Sequence, residues 1–356
     1  MNRRTFLATT AAASLLGEMA SAARAAPSAA PVPVGWRTFE ITTRVELPAS
    51  QGPAVVWVPL AQNAGGYQSV LDVRWGGSGS AKVAHDALYG AATLHDVWTG
   101  GTDPRTIEVT QVVATRDRES PSLDALTEAE RRFWTAGTAD VPTDGIVKAT
   151  AERIVAGQTT PRARLRALYD WVIDTTWRDP ATPGCGLGDV KSMLESQKFG
   201  GKCADINGLM TALARAAGFP ARDVYGVRVA ESRLFPSLGR AGDISKAQHC
   251  RVEVYLDEAG WFPLDPADVR KVVLEQKLPL DSPQVAALRE RLFGRWEMNW
   301  IGYNSATGIE LPGATAGQRP SFAFLMYPCG FVGGTQLDAL DPAKFRYEIR
   351  SREVSA

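Results

Sequence analysis

The chain has 356 residues, long for one compact core and enough for two or three domains of roughly 100–200 residues each. Hydrophobic residues make up 45% and charged residues 22%, an ordinary balance for a globular protein. Thirty-nine Lys plus Arg against 39 Asp plus Glu leave no net charge. No basic stripe or acidic tail stands out, so nothing in the charge favours nucleic acid or an anionic membrane as partner, and a neutral or peptide-like substrate fits better.

The chain opens on an address. Asn2-Arg3-Arg4-Thr5-Phe6-Leu7 sets an adjacent arginine pair before hydrophobic residues and resembles a twin-arginine export signal. A mildly apolar stretch runs to Leu16, and Ala23-Arg24-Ala25 has the form that a signal peptidase prefers. Residues 1–26 therefore read as a signal peptide and 27–35, rich in Pro and Ala, as a linker. No later segment is as long and apolar as the roughly 18 residues a membrane span needs. The expected location is the periplasm or outside the cell. Cys185, Cys203, Cys250 and Cys329 contain no CxxC pair, which argues against a zinc ribbon or a thioredoxin-like redox motif. A disulfide between Cys185 and Cys329 stays open.

From Trp36 the pattern has period two. Phe39, Ile41, Thr43, Val45 and Leu47 alternate with polar residues, predicting a half-buried strand, and Ala54–Val58 and Thr106–Thr115 predict others between Gly-rich turns. Residues 36–118 read as an all-β, sandwich-like domain. Helical patterns follow at Ala125–Phe133 and Gly145–Ala156. After Pro161 comes another helix, with Leu165, Leu168, Tyr169 and Val172 on one stripe. Ile206, Leu209, Met210, Leu213 and Ala217 place a further helix from about Cys203, ended by Gly218 and Pro220. A hairpin spans His249 to Asp265. The tail, 271–356, reads as an α/β extension packing on the core, with a helix at Pro283–Leu292 and strands at Ser321–Met326 and Lys344–Ile349. The fold class is α+β.

Two glycines, Gly200 and Gly201, permit a tight turn into the helix that begins at Cys203. A thiol in a first helical turn meets unpaired N–H groups and the positive end of the helix dipole, which favour the nucleophilic thiolate. His249 starts a strand whose even positions, Cys250, Val252, Val254 and Leu256, are apolar. His249 thus falls on the opposite face with Arg251, Glu253 and Tyr255. If the hairpin pairs Tyr255 with Trp261, Asp265 lies diagonal to His249 on that same face, while a slip of one residue would put it on the wrong one. Cys203, His249 and Asp265 are accordingly the candidate nucleophile, base and orienting carboxylate. Cys250 alternates away and reads as buried and inert, His85 and His95 as surface or structural, and Asp205 as structural, bonded to a loop or to Arg222. Adjacent strand residues cannot easily share a metal, so a Cys203–His249–Cys250 metal site is disfavoured. No metal or cofactor is expected.

Gly201-Lys202-Cys203-Ala204-Asp205, Ala214 through Arg222 followed by Gly226, and His249 through Gly260-Trp261 to Asp265-Pro266 together resemble the transglutaminase-like superfamily of papain-like cysteine enzymes. The resemblance covers about 145–270 and implies a papain-like, transglutaminase-like catalytic core over 122–270, preceded by the sandwich-like domain. One departure is Cys250-Arg251 directly after the His, where the family often has a residue that is small or is followed by an aromatic. The implied chemistry is acyl transfer through a Cys thioester on a peptide or isopeptide amide, as a peptidase, amidase or transamidase. Gln197, six residues before Cys203, resembles the oxyanion glutamine of papain-like proteases, and Trp177 the upstream aromatic of transglutaminases. The alternative is a non-catalytic module of the same fold that binds peptide, cell wall or a partner protein.

Overall fold

The period-two pattern from Arg37 becomes a strand whose odd-numbered side chains from Phe39 to Leu47 are buried. The computed structural model describes residues 35–354 except 51, 102 and 122–124. The signal segment 1–26 and nearly all of the 27–35 linker lie outside the described residues. Six strands come first: β1 (Arg37–Leu47), β2 (Ala54–Pro59), β3 (Gln68–Gly77), β4 (Ser80–His85), β5 (Ala92–Trp98) and β6 (Arg105–Thr115). Helices α1 (Glu128–Thr135), α2 (Gly145–Val155), α3 (Pro161–Thr175), α4 (Val190–Ser196) and α5 (Cys203–Ala216) follow. Then come β7 (Ala221–Arg228), β8 (Gln248–Leu256), β9 (Gly260–Leu264), α6 (Pro266–Glu275), α7 (Pro283–Arg291), β10 (Trp300–Asn304), β11 (Cys329–Val332) and β12 (Arg346–Val354).

Local chemistry sets the helix starts. Thr127 and Glu130 form a reciprocal capping box on α1, and Thr160 accepts from Ala163 N at 3.2 Å with Pro161 in the first turn of α3. The stripe Leu165, Leu168, Tyr169 and Val172 is fully buried. Gly218, at φ +90°, takes the left-handed position that ends α5.

Three sheets organise these elements. One runs β12-β1-β6-β3, with Gly242–Asp243 added beside β12, and a second runs β11-β2-β5-β4 with Thr335–Gln336 beside β11. Val45, Leu47, Ile107 and Val109 from the first meet Val56, Val58 and Leu94 from the second, which makes a sandwich core. The third sheet, β9-β8-β7-β10, is antiparallel throughout. One of its faces packs Cys250, Val252 and Val254 into a cluster with Ile206, Leu209 and Met210 of α5. Val227, Ile301 and Tyr303 cluster instead with Phe39, Ile41 and Val113 of the sandwich. Each such buried side chain contributes about 1.5–3 kcal/mol of transfer free energy. The β region and the helical region thus share apolar packing.

The C-terminal expectation needs correction. Within 271–356, α7 packs on the helical core and β10 joins the third sheet, whereas β11 pairs with β2 and β12 with β1, completing both sheets of the sandwich. Ser321–Met326 forms no strand. Phe324, Leu325 and Met326 are buried in succession there, no strand pairs with them, and Phe324 stacks on Tyr225.

Candidate active site

The hairpin has the register that the candidate triad requires. Tyr255 pairs with Trp261 and Val252 with Leu264, so Asp265 leaves β9 one residue beyond the ladder and caps α6. His249 Nε2 lies 2.8 Å from Asp265 Oδ2. With Nε2–H donating to the carboxylate, Nδ1 is the ring nitrogen left to face the thiol. Trp300 Nε1 donates to the His249 carbonyl at 2.8 Å, fixing the strand that carries it. Gly226 stands opposite His249 on β7 and lets the backbone of β10 approach closely, since a Cβ there would overlap the Ile301 carbonyl and the Trp300 ring.

Cys203 is the first residue of α5 and is 3% exposed. Its backbone N–H is among those a helix leaves without an intrahelical acceptor. Thiol donors at Cys185 and then Cys250, with His249 beyond them, hold its pKa well below the ordinary thiol range against the opposing effect of burial. Cys185 is brought there by its own backbone, whose carbonyl accepts from Ala204 N at 2.9 Å. Its Sγ lies 3.5 Å from Gln248 O, a rival acceptor for the single S–H proton, and accepts from Tyr327 Oη at 3.1 Å. Cys203, His249 and Cys185 all line a cavity of about 590 Å³.

His249 is buried, which pushes its pKa down, as does Arg228, but the Asp268 and Asp265 carboxylates prevail and raise it. A depressed thiol beside a raised imidazole is the condition for a thiolate–imidazolium pair. Burial and the nearby Asp268 raise the carboxyl of Asp265, although His249 opposes this. Asp268 also meets a burial penalty, yet Arg228 and His249 hold its carboxyl well below the usual range. Among the described residues, His249, Asp265 and Asp268 form the one set of donor atoms close enough to hold a metal ion, within 4.8 Å of one another. The charge is already met from the protein: Arg228 pairs with Asp268, and Arg251 Nε lies 3.5 Å from Asp265 Oδ2. Two guanidiniums on two carboxylates disfavour a divalent cation there.

Several participants carried no signal of their own in the sequence. Asn207, one helical turn after Cys203, donates to the Cys250 carbonyl at 2.8 Å and to Asp265 Oδ1 at 3.3 Å, and accepts from Ala267 N at 3.1 Å. It ties the thiol's helix to the loop of the orienting carboxylate. The spacing Asn207 to Cys203 was the available clue, because i and i+4 share a helix face. Asp268 and Cys185 were likewise not singled out for the site. Cys250 is fully buried as expected, but it is a neighbour of Cys203 and not remote from it. All four cysteines are free thiols, so Cys185 and Cys329 are not joined.

Gln197 is not brought to the cavity. It is the left-handed C-cap of α4, exposed, and its Nε2 turns back to the Leu194 carbonyl at 2.7 Å. Trp177 is 46% exposed and outside the cavity lining, with its indole against Gly200. Asp205 accepts from the N–H groups of Leu187, Gly188 and Lys202 at 2.9–3.0 Å, pinning the Cys185 loop to the start of α5. Arg222 pairs with Glu253, not with Asp205. His85 is exposed, and His95 stacks on Trp57 with centroids 5.1 Å apart.

Residues 148–266 match the family model of the Transglutaminase-like superfamily. An "Uncharacterized protein" of Haemophilus influenzae is 34% identical over 341 residues, covering 89% of this chain and 91% of the relative. The crystal structure of a "Putative Cysteine Protease" from Cytophaga hutchinsonii is 13% identical, with a TM-score of 0.56 over 91% of this chain and 92% of that one. At that identity the likeness is one of fold. The periplasmic domain of TgpA from Pseudomonas aeruginosa is more distant, at 16% identity and a TM-score of 0.35 over 67% of this chain and 90% of that one. The segment that carries Cys203, His249 and Asp265 is thus a transglutaminase-like superfamily domain.

Proposed function

We propose that the protein is a thiol enzyme that transfers an acyl group from a peptide or isopeptide amide through a thioester on Cys203. The observation that carries this reading is the depressed thiol at the start of α5, in a cavity shared with a His249 held by Asp265 at 2.8 Å. The Cys203 thiolate attacks the amide carbonyl, and the cationic His249 gives its Nδ1 proton to the departing amine as the C–N bond breaks. Asp265 stabilises the imidazolium and fixes its orientation. The N–H of Cys203, in the first turn of α5, is a donor for the tetrahedral oxyanion, and Trp177 is a second candidate donor if its indole swings across Gly200. Water then resolves the thioester in hydrolysis, or a primary amine in transamidation. A peptide or protein is the expected substrate. No helix among the described residues is long and apolar enough to cross a membrane, and the Arg3-Arg4 motif supports export by the twin-arginine route.

The test compares the intact protein with Cys203→Ala on a mixed peptide and amine library. Mass spectrometry reads cleavage, deamidation or amine addition. The reading expects products only from the intact protein. Identical product profiles would favour the alternative, a binding module that keeps the fold without the chemistry.

A further inference from the structure

The cavity beside Cys203 carries a strong excess of positive charge. Its lining includes six basic side chains, Arg178, Lys202, Arg228, Arg240, Lys246 and Lys271, against one carboxylate, Glu275. Three of the six are engaged. Arg228 pairs with Asp268, while Arg178 and Lys271 sit 3.4 and 3.9 Å from the same Glu275 oxygen. The other three, Lys202, Arg240 and Lys246, make no ion pair with any described carboxylate. Arg240 donates to the Asp243 carbonyl at 2.7 Å, and the Asp243 carboxylate is turned onto Ser245, at 2.7 and 3.0 Å. Lys202 immediately precedes the thiol, and Arg240 and Lys246 stand exposed on the segment between β7 and β8. Leu340, Phe345 and Tyr347 supply apolar surface to the same cavity.

A chain of zero net charge gains nothing in solubility by gathering unpaired cations around one cavity. Mutual repulsion makes such a cluster unfavourable unless an anion completes it. Resting on the thiol-enzyme reading above, we propose that the substrate is a carboxylate-bearing peptide, its anionic group held near the attacked amide by Lys202, Arg240 and Lys246. Carboxylates are the anions that a peptide itself supplies. The same cations attract a negatively charged reagent from solution, an effect that salt screens.

The test is alkylation of Cys203 by iodoacetate, which is anionic, and by iodoacetamide, which is neutral and of similar size. Rates are read by mass spectrometry on the intact protein, on Lys246→Glu and on Lys246→Glu with Arg240→Glu. Both positions are exposed, and unchanged melting temperatures verify that the variants fold. The proposal expects the iodoacetate-to-iodoacetamide ratio to fall at least five-fold in the double variant and to fall with salt in the unaltered protein. Free-acid library peptides should also be consumed ahead of their methyl esters. A ratio equal in all three proteins overturns the proposal while leaving Cys203 as nucleophile. No reaction of Cys203 with either reagent overturns the thiol-enzyme reading and this one with it.

Discussion

His249 Nε2 donates to Asp265 Oδ2 at 2.8 Å, while Asp265 Oδ1 accepts the backbone N–H of Asp268 at 3.1 Å. One carboxylate therefore orients an imidazole and caps α6. The two roles separate by mutation. Asp265→Asn keeps a good capping side chain and removes the charge, so the melting temperature should hold within a few degrees. Alkylation of Cys203 at mildly acidic pH should slow about ten-fold. Asp265→Ala loses the cap as well, at a cost of about 1 kcal/mol. Thermal melts read against alkylation rates check both. An Asn variant with an unaltered pH profile would count against the orienting role.

The thiol neighbours of Cys203 make a second prediction. Cys185 and then Cys250 lead the effects that depress its pKa. Cys185→Ala removes a donor to the thiolate, so the midpoint of the alkylation profile should move to higher pH. The variant should be several-fold slower below neutrality and converge with the parent at high pH, where both are ionised. Cys185→Ser keeps a donor and should lie between them. His249→Ala should shift the midpoint in the same direction.

Asp223 on β7 gives a stability prediction. Burial raises its carboxyl from 3.8 to about 7. The folded state thus holds a proton that the unfolded state releases above its own, lower pKa. Stability from this group is fully present below pH 3.8, declines as pH rises, and is lost once pH passes about 7. Asp223→Asn lacks that decline, so its stability relative to the parent should increase between those limits by on the order of a few kcal/mol. Urea unfolding at several pH values measures it, and parallel curves for the two proteins would refute it.

Gly226 tests the close approach behind His249. An added Cβ overlaps the Ile301 carbonyl, a backbone atom that cannot rotate away. Gly226→Ala should cost about 1–3 kcal/mol by overpacking and disturb the base strand. Denaturant midpoints and the alkylation rate should fall together. A stability within error of the parent would contradict the close approach.

What could be read in the sequence was what repeats locally. The alternation in 249–256 separated His249 from the apolar face, and the pairing of Tyr255 with Trp261, one of the registers the sequence allowed, is the one that brings Asp265 beside it. The stripe of α3 and the cap at Gly218 were visible for the same reason. Asn207, Asp268 and Arg228 were not, since each acquires its role from a partner brought close only by the fold, such as Asp265, 58 residues from Asn207. Gln197 shows the opposite error: its spacing from Cys203 matched, but its left-handed backbone directs the amide back onto α4. The apolar run Ser321–Met326 read as a strand, but hydrogen-bonded pairing needs a neighbour that the sequence pattern does not supply.

Strand β12 is the outer neighbour of β1 along Thr38↔Val354 to Glu46↔Arg346. Until residue 354 has been made, one edge of the first strand has no ladder partner. An open edge of that length is a template for pairing between chains. A nascent chain carries this liability through synthesis of the entire thiol core, which lies between the two strands. Loss of β12 would leave Cys203, His249 and Asp265 in sequence but open the β1 edge of the sandwich sheet to pairing between chains. The ladder joins the first and last of the described strands, so it cannot close before both have been made.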